Sequence, residues 1–293
     1  MLLLCKMGVL EIDYKILKEI YKKREKNVRK KNFGNVLIIG GSKLYPTTPI
    51  LVALAAYRSG TDWVTIASPE YSARIISSYD PNLMVYPLDG EFLNITHIKK
   101  LLELSEKRTA IEIGGGLTRR DDVLEVIIKY LENVKNYVII DDDAIYAIAK
   151  RKDLLNKNFI ITAHSYEFYI LTGEKVSYDL SDRIEKVKKY AKEFNTTIIL
   201  KGNVDIISDG ERVGIVRKGY FSRYMTKAGL GNTLAGILLS TLSRNKDTFI
   251  AACAAAYING KAGEIAGKEY LDGLLPIDLI NYIPKVIKKY LEI

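Results

Sequence analysis

Six short apolar stretches are spread along the chain, and small or polar residues follow each of them directly. They cover residues 36–39, 63–67, 110–113, 137–140, 159–161 and 197–200. Continuous apolar runs that end in turn residues are typical of strands covered on both faces, as in a parallel sheet. The pattern therefore predicts six buried and mainly parallel strands.

Three of the segments between these stretches have helical spacing. Residues 49–59, 121–131 and 181–194 place their apolar side chains on one face, and Ser181 is expected to cap the third helix. The alternation of strands and helices predicts an α/β fold with helices on both sides of the sheet. Residues 203–216 differ, because two apolar runs surround Asp209-Gly210, which predicts a late antiparallel hairpin.

The residues that follow the strands are the candidates for chemistry, since open α/β sheets bind ligands beyond the carboxyl ends of their strands. Residues 40–42 (G-G-S) and 114–116 (G-G-G) either let a ligand approach the backbone or make tight turns. Three consecutive glycines exceed what a turn needs, which favours ligand approach. Residues 141–143 (D-D-D) could bind a metal or cap a helix, and we favour capping for at least one of them.

Two further strand ends carry titratable side chains. His164 follows the fifth strand, with Glu167 three residues on, and is either structural or part of a site. Lys201-Gly202 follows the sixth strand, where the lysine could hold a phosphate as a point charge. A Lys-Gly pair is also common in ordinary turns.

Residues 228–237 read A-G-L-G-N-T-L-A-G-I and open a helical pattern. Gly229 and Gly231 would let backbone amides approach an anion, and the start of a helix adds a favourable partial charge. The alternative is a plain loop in which Asn232 caps the helix.

Composition narrows the classes of protein to which this chain could belong. The 293 residues carry a net charge of +9, with only two cysteines, two histidines and no glutamine. No export signal or membrane span is evident, so we expect a cytoplasmic protein without a membrane partner. The basic run 22–31 could contact nucleic acid, but it lacks interleaved aromatics and is better interpreted as a solvated helix and loop. The absence of glutamine favours a thermophilic source.

Taken in order, the motifs resemble those of the nucleotide-dependent NAD(P)H-hydrate dehydratases, a carbohydrate-kinase-related branch of the ribokinase-like superfamily. The resemblance extends from about residue 32 to residue 284. The matching stretches are F-G-N-V-L-I-I-G-G-S (33–42), A-L-A-A-Y-R-S-G (53–60), I-G-G-G-L (113–117), V-I-I-D-D-D-A-I (138–145), I-T-A-H-S-Y-E-F (161–168), I-L-K-G (199–202), G-L-G-N-T-L-A-G (229–236) and A-A-Y-I-N-G-K-A-G (255–263).

The resemblance implies a ribokinase-like three-layer α/β/α fold, with a mostly parallel sheet and a late antiparallel hairpin. It implies one domain over residues 1–293, with a helical, basic segment over about 1–31 and no fused epimerase domain. It also implies repair of hydrated NADH and NADPH with ADP or ATP and Mg²⁺. A homo-oligomer and a separate epimerase partner are expected.

The resemblance also assigns residues. The nucleotide would contact Lys201, Gly202, Asn203, Val204, Asp205 and Gly231, the hydrate would contact Thr48, Gly116, His164 and Asn232, and the catalytic turn would contain Gly229, Gly231 and Asn232.

The catalytic turn departs from the family pattern. The family turn reads G-G-T-G-D, whereas this chain has A-G-L-G-N at residues 228–232. Asn232 therefore replaces the carboxylate that would accept a proton, and losing a general base costs roughly 10²- to 10⁴-fold in rate. Three alternatives follow: a dehydratase, a carbohydrate or vitamin-precursor kinase of the same superfamily, and a nucleotide-binding homologue with impaired catalysis.

Overall fold

The structure is a computed structural model and describes residues 4–5 and 8–291. Its strands are β1 (Leu4–Cys5), β2 (Val9–Glu11), β3 (Asn35–Ile39), β4 (Trp63–Pro69), β5 (Met84–Leu88), β6 (Ala110–Ile113), β7 (Val138–Asp141), β8 (Phe159–Ala163), β9 (Thr197–Leu200), β10 (Val204–Ser208) and β11 (Val213–Arg217). All eleven belong to one sheet, in the order β1-β2-β11-β10-β9-β8-β7-β6-β3-β4-β5.

The α-helices are α1 (Thr48–Arg58), α2 (Glu70–Tyr79), α3 (Ile98–Ser105), α4 (Asp121–Asn133), α5 (Asp143–Ala149), α6 (Ser165–Thr172), α7 (Leu180–Glu193), α8 (Leu230–Arg244), α9 (Thr248–Tyr270) and α10 (Pro276–Leu291). The helices α1 to α7 lie between strands along the chain, and α8 to α10 follow the last strand. Within residues 4–5 and 8–291, no helix is both long enough and apolar enough to cross a membrane.

The sheet separates two apolar cores, which gives the three layers. Along β3, Val36 and Ile38 belong to the core beneath α1, α8, α9 and α10, whereas Leu37 and Ile39 belong to the core beneath α4, α5 and α7. All five residues of β3 are buried, as a strand covered on both faces requires. The continuous apolar runs of the sequence thus have their physical cause in two helical layers.

The strand pairing confirms the expected fold class. Seven neighbouring strands pair in parallel, in the order β5, β4, β3, β6, β7, β8 and β9. The next strand, β10, runs antiparallel between β9 and β11. The hairpin closes at Asp209-Gly210, where the Asp209 carboxylate accepts the backbone N–H of Arg212 at 2.7 Å. Gly210 has a φ of +94°, a backbone conformation that L side chains rarely adopt.

One local expectation was wrong, and another holds only in part. Ser181 does not cap α7, because Asp179 occupies the N-cap position and its carboxylate accepts the N–H of Asp182 at 2.9 Å. The N-terminal segment is helical only over the 3-10 helix Tyr14–Glu19, and its described part also contains β1 and β2. The basic run 22–31 is an exposed loop with turns, since no apolar face would anchor a helix there.

Helices α1 and α8 pack closely through Gly236. A Cβ atom at this position would overlap the carbonyl oxygen of Val52 and would lie 2.7 Å from the Cβ of Ala55. This contact holds together the two helices whose first turns carry Thr48 and Asn232.

We expect Gly236→Ala to lower the free energy of unfolding by about 1–3 kcal/mol, because overpacking outweighs the higher helix propensity of alanine. Urea unfolding measures the effect. The control is Gly260→Ala in α9, where the added methyl group would come no nearer than 3.3 Å to a neighbouring atom, Cγ of Lys218. Equal stability of the two variants would contradict the close packing of α1 on α8.

Candidate active site

A lysine held between two buried carboxylates marks the carboxyl edge of the sheet. The Nζ atom of Lys201, which follows β9, lies 3.3 Å from Oδ1 of Asp141 and 3.5 Å from Oε2 of Glu167. Burial alone lowers the pKa of Lys201, but the charges of Asp141 and Glu167 outweigh it and hold that pKa above its usual value. The ammonium group is therefore charged, fixed in place, and still 18% exposed.

Lys201 faces the first turn of α8. The Nζ atom lies 3.4 Å from the point where a Cβ atom would stand on Gly231, so the lysine lies directly against this glycine. Gly229 is the N-cap of α8 with a φ of +91°, a conformation that favours glycine. Asn232 is consequently not the cap, and lies inside the first turn.

Between these elements lies a cavity of about 660 Å³. Of the residues assigned from the resemblance, it is lined by His164, Lys201, Gly202, Asn203, Val204 and Gly231. Lys218, Arg217 and Arg223 add positive charge, and none of the described lining residues is an aspartate or a glutamate. A cavity of this size and charge suits a small anionic ligand.

Asp205 lies behind the cavity wall. It is fully buried, and its Oδ1 atom accepts the backbone N–H of Gly202 at 2.9 Å and an N–H of Lys218 at 2.7 Å. Asp205 thus fixes the turn after β9 and places the Lys218 ammonium. The sequence analysis missed Lys218; the basic sequence R-K-G at the end of β11 was the available signal.

His164 caps a helix and also lines the cavity. Its Nδ1 atom accepts the backbone N–H groups of Tyr166 and Glu167 at the start of α6, and the Glu167 carboxylate accepts the N–H of His164 in return. Burial, assisted by the charge of Lys201 and opposed by Glu167, lowers the pKa of His164. The ring is therefore neutral at pH 7, and its side chain lines the cavity.

The three consecutive aspartates have separate roles. Asp141 accepts a hydrogen bond from Thr162, and Asp143 accepts the N–H of Thr118 at 2.8 Å and pairs with Arg119 at 2.9 Å. Asp142 stands at the N-cap position of α5 with a φ of +47°, but its side chain makes no capping hydrogen bond. The expected capping by a carboxylate was therefore wrong.

Asp142 has a raised pKa. Burial and the charges of Asp141 and Asp143 raise the pKa of Asp142 to about 7, although Lys201 opposes the shift. In the part of the chain that the structure describes, no three His, Cys, Asp or Glu side chains are arranged to hold a metal ion.

Thr48, Gly116 and Asn232 meet beside the main cavity. A Cβ atom on Gly116, whose φ is +73°, would stand 2.9 Å from Oγ1 of Thr48. A Cβ atom on Gly115 would stand 3.3 Å from Nδ2 of Asn232. The G-G-G turn thus packs against the first turns of α1 and α8, and this close packing is sufficient reason for its glycines.

A buried glutamate lies beneath this turn. Glu112 on β6 is fully buried, and neither of its carboxyl oxygens has a hydrogen-bond partner among the described residues. Burial, followed by the charge of Asp141, raises the pKa of Glu112 well above its usual range, although the nearby N–H of Gly115 opposes the shift. The sequence analysis did not select Glu112, although a lone charge inside an apolar strand was a visible signal.

Glu112 should make the protein less stable as the pH rises. Between the unfolded pKa of about 4.3 and the higher folded pKa, the folded state keeps a proton that the unfolded chain has released. The free energy of unfolding therefore falls across this window by up to about 1.4 kcal/mol per pH unit.

Glu112→Gln removes this dependence, so the advantage of the variant over the unchanged chain should grow from about pH 5 upward. Denaturant unfolding at several pH values measures it, with Glu106→Gln at an exposed position as the control. Parallel stability curves for the unchanged chain and Glu112→Gln would contradict the raised pKa.

Comparison with known proteins gives consistent matches. A family model described as NAD(P)H-hydrate dehydratase matches residues 36–285. The ADP-dependent (S)-NAD(P)H-hydrate dehydratase of Nitrosopumilus maritimus is 36% identical over 94% of this chain and 96% of its own. The bifunctional NAD(P)H-hydrate repair enzyme of Hyperthermus butylicus is 38% identical over 92% of this chain. The chain spans about half the length of that relative (51%) and of its Pyrobaculum aerophilum counterpart (53%).

The solved structures support the same assignment. The ADP/ATP-dependent NAD(P)H-hydrate dehydratase of Bacillus subtilis, co-crystallized with ATP and Mg²⁺, has a TM-score of 0.79 and 26% identity over 95% of this chain and 97% of its own. A ribokinase-like protein of Enterococcus faecalis, at 24% identity and a TM-score of 0.83 over 98% of both chains, shows the fold. The chain belongs to the NAD(P)H-hydrate dehydratase family of the ribokinase-like fold.

Proposed function

We propose that this chain dehydrates hydrated NADH and NADPH, using ADP or ATP as the phosphoryl donor. The observation that carries the proposal is that Lys201 lies against Gly231 on the wall of a cavity lined by cationic side chains, in the turn that contains Asn232. The names of the Nitrosopumilus maritimus and Bacillus subtilis relatives support the same substrate and the same nucleotides.

The proposed position of the nucleotide phosphates is in the cavity beside Lys201 and the start of α8, which both line it. The backbone N–H groups of a first helical turn point outward without helical partners, and Gly231 leaves them open to an anion. Lys201 is held by Asp141 and Glu167, so its charge needs little rearrangement when a phosphate binds. Lys218 and Arg223 face the same cavity and add to the attraction for a polyphosphate.

The described residues fit Mg²⁺ only as a partner of the nucleotide. They offer no cluster of three protein ligands, and Mg²⁺ commonly binds phosphates together with one or two carboxylates and waters. Glu167, beside Lys201 and His164, is the carboxylate that could join such a set. When bound, the cation would neutralise charge on the phosphate oxygens.

The proposed reaction has two steps. First, the oxygen of the added hydroxyl group attacks the terminal phosphorus, the bond from phosphorus to the departing nucleotide breaks, and the hydroxyl proton is released. Second, the carbon–oxygen bond breaks, phosphate leaves with the electron pair, and loss of a proton from the neighbouring carbon restores the ring double bond. The protein supplies mainly positioning and charge stabilisation.

Asn232 limits the first step. Its amide oxygen can accept a hydrogen bond from the substrate hydroxyl, which orients the nucleophile, but it does not take the proton at neutral pH. The transferred phosphoryl group or water must then take it. Because a general base is worth roughly 10²- to 10⁴-fold, we expect slow turnover.

The test is to incubate purified hydrate with the protein and ADP, ATP or no nucleotide, and to follow the return of reduced nicotinamide absorbance. We expect nucleotide-dependent recovery with release of phosphate. ADP binding without recovery would contradict catalysis and support a binding-only homologue. A stable phosphorylated product from a panel of hydroxyl compounds would instead support a small-molecule kinase.

Lys201→Met should raise the Kd for ADP at least about tenfold, because it removes the central cation of the phosphate position. Calorimetric titration measures the Kd. Lys201→Arg keeps the charge and should bind ADP more tightly than Lys201→Met, which separates loss of charge from misfolding. Lys189→Met at the exposed Glu174 ion pair is the control. Equal affinity in all four proteins would place the nucleotide elsewhere.

We further propose that the protein works in the cytoplasm as a homo-oligomer and that a separate epimerase supplies the reactive hydrate epimer. The matched relatives named bifunctional are about twice as long as the shared region, which is consistent with a second activity located outside it. Light scattering of the purified chain tests the oligomer.

A further inference from the structure

Glu112 lowers the stability of the fold at its position in a central strand, because it is fully buried without a hydrogen-bond partner among the described residues. Its neighbours across the sheet are Ile38 on β3 and Ile139 on β7, two isoleucines of the core beneath α1 and α8. Burying a polar group without a hydrogen-bond partner opposes folding, and an apolar side chain of similar size would avoid this cost. A buried polar group that lacks a hydrogen-bond partner often has a functional role.

The position of Glu112 relates it to Asn232. The point where a Cβ atom would stand on Gly115 is 3.9 Å from Oε1 of Glu112, 3.3 Å from Nδ2 of Asn232 and 3.0 Å from Cγ2 of Thr48. Glu112 and Asn232 therefore flank the same glycine, and Asn232 turns the nitrogen of its amide toward this glycine. The alternative orientation would bring its oxygen there.

The surrounding charges favour the observed orientation of the amide. Asp141 and Asp142, from β7 and the start of α5, are the other charged groups that act on Glu112, and both are acidic. The backbone N–H of Gly115 is the donor that faces it. Lys201 remains with Asp141 and Glu167. The acidic surroundings thus favour an amide NH₂ group toward Glu112, whose carboxyl group keeps an acceptor oxygen even when it holds a proton.

We propose that Glu112 is a positioning residue for Asn232, whose carboxyl group keeps the amide nitrogen directed at the sheet and so presents the amide oxygen to the substrate hydroxyl. This inference rests on the proposed function. The inference means that a carboxyl group still acts at the turn that contains Asn232. This carboxyl group belongs to β6 beneath the turn, and it acts through Asn232 without touching the substrate.

The kinetic test compares Glu112→Met with Glu112→Gln. Glu112→Met has no acceptor for the amide, and we expect kcat to fall about tenfold while the KM for the nucleotide stays unchanged. Glu112→Gln retains an acceptor oxygen in nearly the same shape, and should keep kcat within about threefold of the unchanged chain. If Glu112→Met keeps full kcat, Glu112 does not position Asn232 and the proposal is overturned.

A second measurement does not depend on activity. Glu112→Met, Asn232→Ala and the double variant form a double-mutant cycle in urea unfolding at neutral pH. The effect of Glu112→Met on the unfolding equilibrium constant is measured twice, once in the unchanged chain and once in the Asn232→Ala variant. If the two side chains interact, these two effects should differ by a factor of at least about two. Additive effects would overturn the proposal.

The two measurements also separate this proposal from the proposed function. A chain that never restores the hydrate, but shows coupling in the cycle, would contradict the dehydratase activity while supporting the contact between residues 112 and 232. A chain that restores the hydrate, but shows additive effects, would support the activity and exclude the positioning role of Glu112.

Discussion

The ammonium group of Lys201 is the charge on which the arrangement of the site depends. Asp141 and Glu167 are almost fully buried, and two such carboxylates at one edge of a sheet would repel each other without a cation between them. Lys201 supplies that cation and at the same time faces Gly231. The same residue thus stabilises the edge of the sheet and presents a fixed positive charge to the cavity. Removing one partner of such a set is costly because it leaves a buried charge unpaired.

The second constraint is close packing around glycines. Gly115, Gly116 and Gly236 allow the first turns of α1 and α8 to approach the turn after β6, and a methyl group at any of them would crowd a neighbour. This brings Thr48 and Asn232 to the same place although 184 positions of sequence separate them. Rigid packing of this kind suits a phosphoryl transfer, in which the protein contributes mainly by positioning.

Much of the architecture could be predicted from local patterns. The six apolar stretches became β3, β4, β6, β7, β8 and β9, and Asp209-Gly210 closed the expected hairpin. The errors were also local. The cap of α7 went to Asp179 instead of Ser181, since both can accept an N–H group and only the path of the chain decides between them. The basic loop 22–31 has charge but no apolar face, so composition alone could not predict its conformation.

The sequence by itself determined which chemistry-bearing residues follow buried strands, and it determined the glycine turn before α8, because periodicity and turn composition are properties of neighbouring residues. It also showed an amide at position 232, where the family resemblance implies a carboxylate. Only the tertiary structure decided what surrounds that amide. Glu112 on β6 and Asn232 on α8 flank Gly115, the buried Asp205 holds Lys218 at the cavity that Lys201 also lines, and burial raises the pKa of Asp142. Burial, electrostatic coupling and side-chain contact depend on distances in space, and a parallel sheet sets these distances by joining strand ends that lie far apart along the chain.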